Sequence, residues 1–190
     1  MIEPLSPILD LPNFKNRAHL VTVEEYHKMG ELGYLPKRTE LIEGVILHKM
    51  PKSPRHATIV LILSQIFSQK LPNTFHVRTE QPITLSHSEP EPDLAIVRGQ
   101  IREYSQSHPV SAELVIEVSL STLAEDREMA NIYAEATIPE YWLFNLNTNT
   151  VEAYSKPIDG RYSEMKTFQK GEIISPLNFP QTKLILSEIF

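Results

Sequence analysis

The sequence predicts an α+β (α/β) domain: a mixed β-sheet flanked by helices, with an additional N-terminal hairpin and C-terminal strands. Three observations carry this. The run ELVIEV, Glu113 to Val118, is apolar without alternation except for one Glu, as a central strand covered on both faces is. A helical stretch from Thr122 to about Ala136 separates it from the strand YWLFN, which is the arrangement of a helical crossover. Two helices beside about seven strands, with no repeat, low-complexity segment or linker between them, make residues 21–190 a single domain.

Taken in order, residues 1–20 carry Pro4, Pro7 and Pro12 without a period and are expected to form an extended arm. Thr22-x-x-Glu25 is a capping-box pattern, so a short helix is expected from Val23 to about Met29. ELIEGVILHKM, Glu40 to Met50, reads as two short strands meeting at Gly44, a hairpin or a bent strand. From His56 to Leu71, apolar residues at Ile59, Ile62, Leu63, Ile66 and Phe67 recur at helical spacing, and Pro72 ends the element. Strands are expected over Thr74 to Thr84, Asp93 to Val97 and Glu113 to Val118. After the Thr122 helix, with acids in its first turn, and YWLFN, the segments TVEAYS, RYSEMKTFQ and ILSEIF read as hairpin material with a short closing element.

Composition narrows the function. The absence of Cys removes disulfides, thiolate zinc sites and cysteine nucleophiles. Six glycines form neither G-x-G-x-x-G nor a Walker loop, and no G-x-S-x-G is present. The seven histidines show no zinc-ligand spacing, and His56 at a helix start reads as a local cap or surface residue. A net charge of -6 argues against DNA binding by bulk charge, so any such contact rests on a local patch. Without a positive leader or a long apolar run, the chain is expected to be cytoplasmic and to make no membrane contact.

The carboxylates remain. Glu117 stands inside Leu114-Val115-Ile116-Glu117-Val118, where an ionised group is costly unless it meets a cation or strong donors; the alternatives are an Arg partner or a strand end reaching solvent. Asp93 follows Ser88-Glu89-Pro90-Glu91-Pro92, so its carboxylate is presented at a rigid strand entrance, which is also ordinary turn chemistry. Paired on neighbouring strands, the two make a candidate site for a divalent metal, since hard cations take carboxylates, a carbonyl and waters. Glu43 in Leu41-Ile42-Glu43-Gly44 is a third candidate, or an exposed turn carboxylate.

Glu40-Leu41-Ile42-Glu43-Gly44, Pro54-x-His56, Glu91-Pro92-Asp93-Leu94, Leu114-Val115-Ile116-Glu117-Val118-Ser119, Tyr133-Ala134 and Ile138-Pro139-Glu140-Tyr141-Trp142 together resemble the Uma-two family of restriction endonucleases, abundant in cyanobacteria. The match spans about residues 20 to 155. The resemblance implies a branch of the PD-(D/E)XK nuclease superfamily with a restriction-endonuclease-like fold. It implies Mg²⁺ (or Mn²⁺) at Asp93, Glu117 and the Val118 carbonyl, with Glu43 completing the metal or water shell. The implied reaction is hydrolysis of DNA phosphodiesters by metal-activated water. Glu80, just before Gln81-Pro82, is a further candidate neighbour of this cluster.

The chain departs from that pattern at one residue type. The motif lysine is replaced by Ser119, and its alternative place on the following helix holds Met129; no lysine occurs between Lys70 and Lys156. Arg127 is the candidate for the missing positive charge. Two readings follow: an endonuclease using Glu43, Asp93, Glu117 and Arg127, or a catalytically impaired nuclease fold serving as a nucleic-acid-binding or assembly module. Lys49, Lys52 and Arg55, with Lys37 and Arg38 nearby, are candidate phosphate contacts or solvated loop charges. The arm and the C-terminal sheet edge are expected to support a homodimer.

Overall fold

The computed structural model describes residues 17–190, so most of the expected arm lies outside the described residues. Among the described residues, regular structure begins as the capping box predicts. The Thr22 hydroxyl accepts the Glu25 N–H at 3.1 Å, the Glu25 carboxylate accepts the Thr22 N–H at 2.9 Å, and α1 runs Val23–Glu31. β1 (Thr39–Ile42) and β2 (Val45–His48) then pair antiparallel with Ile42 opposite Val45, so the Gly44 region is a hairpin. Glu43 and Gly44 have φ of 48° and 75°, the two positive values that a two-residue turn between right-twisted strands requires. The hairpin is tied to the segment leading to Asp93. Gly44 N–H donates to the His87 carbonyl (3.0 Å), and Glu89 N–H to that of Leu41 (2.7 Å).

Helix α2 (Pro54–Lys70) starts two residues earlier than its apolar period suggests, because Ser53 accepts the His56 N–H (3.2 Å) and Pro54 suits the first helical turn. Six strands follow in one sheet in chain order: β3 (Phe75–Thr79), β4 (Leu94–Arg98), β5 (Leu114–Ser119), β6 (Glu140–Asn145), β7 (Thr150–Ile158) and β8 (Arg161–Gln169). Neighbours are antiparallel except β5 and β6, which run parallel and are joined by α3 (Leu123–Glu135). The strand expected over Thr74 to Thr84 stops at Thr79, where Glu80 takes a φ of 53°. β9 (Ile173–Ile174) pairs with β10 (Leu184–Ile185), and a 3₁₀ turn at Leu186–Glu188 closes the chain.

Strand alternation divides the core. Leu94, Ile96, Leu114, Ile116, Trp142 and Phe144 pack with Ile59, Leu63 and Phe67 of α2. Ala95, Val97, Val115, Tyr141 and Leu143 pack with Tyr133 of α3 on the other face. The same alternation assigns Asp93, just before β4, and Glu117 in β5 to the α3 face, and the pairing of Leu94 with Ile116 brings them alongside each other. No helix among the described residues is long and apolar enough to cross a membrane.

Candidate active site

At this end of the sheet a pocket of about 400 Å³ opens between the β1–β2 hairpin, the start of α2 and the first turns of α3. Asp93 is at its base, 5% exposed, and nearly all its hydrogen-bonding capacity is engaged. Oδ1 accepts from Lys52 Nζ at 2.7 Å. Oδ2 lies 2.8 Å from His56 Nε2 and accepts the Val118 N–H at 2.8 Å. The Asp93 N–H donates in turn to Glu117 Oε2 at 3.0 Å, and Tyr133 donates its hydroxyl to Glu117 Oε1 at 3.2 Å. Two strands and both helices that flank the pocket thus converge on two carboxylates.

The two acids are driven apart electrostatically. Burial pushes Asp93 up, but its bonds and charge contacts with His56 and Lys52 outweigh burial and hold it below the usual Asp range. Glu117 is pushed well above the usual Glu range by burial and then by the charges of Asp93 and Asp126, which the Asp93 N–H only partly offsets. Among the described residues no cation pairs with Glu117, so the sequence alternative of an Arg partner is not what the chain uses. Asp126, capped by the Thr122 hydroxyl at 2.7 Å, is raised by burial as well. For Lys52, burial acts downward, yet Asp93 and Glu80 raise it overall; its ammonium lies 2.8 Å from Glu80 Oε1. It is a fixed positive charge at neutral pH.

The predicted residues divide into those brought together and those left out. Asp93, Glu117, Val118, Lys49 and Lys52 all line the pocket, and Glu80 joins it through Lys52. Glu43 does not. It occupies the hairpin turn, exposed, with its carboxylate accepting from Ser88 Oγ at 3.2 Å, while strand alternation turns Glu40 and Ile42 into the pocket instead. Glu40 Oε2 accepts the Glu91 N–H at 3.1 Å and lies 3.7 Å from Lys49 Nζ. Arg127 is also left out. Thr122 before α3 and Glu125, Asp126, Glu128, Met129 and Ile132 on it line the pocket, whereas Arg127 turns to Glu152 of β7, with Nε 3.0 Å from Oε2. Arg55 turns to Asn149 Oδ1 at 2.7 Å, outside the pocket. Sequence reading missed Glu40, His56 and Tyr133 as parts of this site. Two of them left a signal: Glu40 stands two residues from Ile42 on one strand face, and Pro54-x-His56 puts the imidazole at the first turn of a helix.

Comparison with known proteins agrees with this architecture. Residues 23–187 match the model of the Uma2 family, described as "Putative restriction endonuclease". The chain belongs to the Uma2 family. Among solved structures it is similar to "a putative nuclease belonging to DUF820" from Anabaena variabilis ATCC 29413, with a TM-score of 0.75 and 18% identity. The alignment covers 90% of this chain and 97% of that one, and at such identity the likeness is one of fold. No curated protein matches. Within the Uma2 chain described here, Met129, where a lysine would complete the expected pattern, does face the pocket, opposite Lys52.

Proposed function

We propose that this pocket is the centre of a metal-dependent endonuclease that hydrolyses DNA phosphodiesters in the cytoplasm. The observation that carries the reading is the contact of Asp93 with Glu117: the Asp93 N–H donates to the Glu117 carboxylate, so two acids stand side by side at the β4 entrance and in β5, and Glu117 has no cation partner among the described residues and is pushed up by burial and by its acidic neighbours. Such a donor set fits a hard cation, which takes one or two carboxylates and leaves its remaining positions to carbonyl, water and phosphate oxygens. Asp93, Glu117 and the Val118 carbonyl would hold Mg²⁺ (or Mn²⁺), with Glu40 acting from beyond them. When bound, the ion supplies Lewis-acid polarisation of the phosphoryl group and a more acidic water. The protein's own residues do the rest. His56 and Tyr133 orient the two carboxylates, and Lys49 and Lys52 face the diester charge from the hairpin side. A homodimer through the exposed β8 edge would bring two such centres to one duplex; a monomeric mass by solution scattering counts against it.

A second reading has its own observation: among the described residues no three metal-ligating side chains converge, as they need not in a nucleic-acid-binding or assembly module without turnover. Nicking of supercoiled plasmid with Mg²⁺ or Mn²⁺ separates the two. The nuclease reading expects cleavage that falls by more than about a hundredfold in Asp93→Asn, together with loss of Mn²⁺ binding by calorimetry. Plasmid left intact, with no heat of Mn²⁺ binding, favours the module.

A further inference from the structure

We propose that Lys52 is the catalytic cation of this site, contacting the scissile phosphate and neutralising the charge that grows on its non-bridging oxygens. This rests on the nuclease reading. A diester approaching the pocket meets the carboxylates of Glu40, Glu91, Asp93, Glu117 and Asp126, so turnover needs fixed positive charge close to the reacting group. The α3 wall supplies none: Met129 faces in, and Arg127 is committed to Glu152. On the hairpin wall Lys49 lines the pocket but is held at Glu91 and not at Asp93. Its ammonium donates to the Glu91 carbonyl at 2.7 Å and to the Glu91 carboxylate at 3.1 Å.

Lys52 pairs with Glu80 at 2.8 Å as well, but among the described residues it is the lysine whose ammonium reaches Asp93, the base of the pocket, at 2.7 Å. Its side chain is 23% exposed, shielded enough to strengthen its field and open enough to meet a ligand. Its backbone is anchored on both sides. Pro51 precedes it, while Ser53 caps α2 and Pro54 begins that helix. In hydrolysis the water oxygen forms a bond to phosphorus as the bond from phosphorus to one bridging oxygen breaks, the electron pair leaving with that oxygen. The attacking water loses its proton to solvent, and the leaving oxygen takes one from solvent. Lys52 stays an ammonium throughout and donates to a non-bridging oxygen. A divalent ion held at Asp93 would compete with the Lys52 ammonium for that carboxylate, so removing the ammonium would leave Oδ1 free for it.

The test pairs two readouts on Lys52→Met: plasmid nicking in Mn²⁺, and Mn²⁺ affinity by calorimetry. The expected result is nicking lowered about 10²-fold to 10³-fold with Mn²⁺ affinity equal to the wild type or tighter. Nicking within about threefold of the wild type overturns the proposal, and so does a parallel loss of metal affinity, which would make Lys52 a support for the metal site. Should Lys52→Met fail to fold by circular dichroism, Lys52→Gln is judged by the same two readouts. Moving the charge across the pocket, Lys52→Met with Met129→Lys, is expected to recover at least about tenfold of the lost nicking; no recovery counts against an electrostatic role. Wild-type protein that does not nick plasmid overturns the nuclease reading itself, and this inference with it.

Discussion

Arg127 and Glu152 show how one residue's neighbours decide its role. The guanidinium donates from Nε and Nη2 to Glu152, a carboxylate only 7% exposed, while Tyr154 adds its hydroxyl at 2.6 Å. The Arg127 hydrogen bonds hold Glu152 below its ordinary value of 4.5, against the opposing effect of burial. A lowered carboxylate stabilises the fold above the unfolded-state value and loses that contribution as pH falls through the folded-state value. Arg127→Met is therefore expected to cost about 1 kcal/mol at pH 7, since the arginine is half exposed and solvent screens it. The deficit should shrink as pH falls below the ordinary Glu value and through the lowered one, as urea unfolding followed from neutral to acid pH would show. Nicking should be unchanged; a large loss would return Arg127 to the chemistry. The same reasoning separates two acids three residues apart. Glu40→Gln should weaken Mn²⁺ binding or nicking about tenfold, as loss of an outer carboxylate does, whereas Glu43→Gln, whose carboxylate meets only Ser88, should stay within about twofold.

At the scale of the element, Gly44 sets where Glu40 stands. Its φ of 75° is one that side chains rarely adopt, and a Cβ there would lie 2.6 Å from Leu20 Cβ. Gly44→Ala is expected to destabilise the protein by about 2 kcal/mol, measured by urea unfolding, and to lower nicking further by displacing the hairpin wall. A stability change under about 0.5 kcal/mol would mean that the chain before α1 yields easily. Elements whose cause is local are legible in the amino-acid order itself. The Thr22 capping box, the apolar period of α2 and the unbroken apolar run of β5 each predict the element that forms. The parallel neighbours β5 and β6 follow from a helix placed between two apolar strands. What escapes is phase: the turn at Gly44 takes in Glu43 as well, so Glu43 faces out while Glu40 and Ile42 face the pocket, and one step around α3 sends Arg127 to β7. Long-range partners escape for a related reason. Nothing local to Lys52 or His56 announces that Asp93, about forty residues on, will be their acceptor.

Across the whole molecule the charge is unevenly distributed, and the two walls of the pocket come from segments of opposite sign. From Lys37 to Lys70 the chain has six bases against Glu40 and Glu43; from Glu80 to Asp126 it has nine acids and only Arg98 and Arg102. The fold sets the first segment, as hairpin and α2, against the second, as β4, β5 and the start of α3. On the proposed reading, DNA binding on such a surface comes from few phosphate contacts and not from a broad basic face. Each phosphate neutralised contributes about 0.9 to the slope of log affinity against log salt. With Lys49 and Lys52 as the pocket's lysines, the slope per site should be near -2 for a short duplex, read by fluorescence anisotropy with Ca²⁺ in place of Mg²⁺. Lys52→Met should bring it to about -1, whereas Arg55→Met, outside the pocket, should leave it unchanged. A slope steeper than about -5 would require an extended basic interface that the described residues do not present, and would place DNA elsewhere on the molecule.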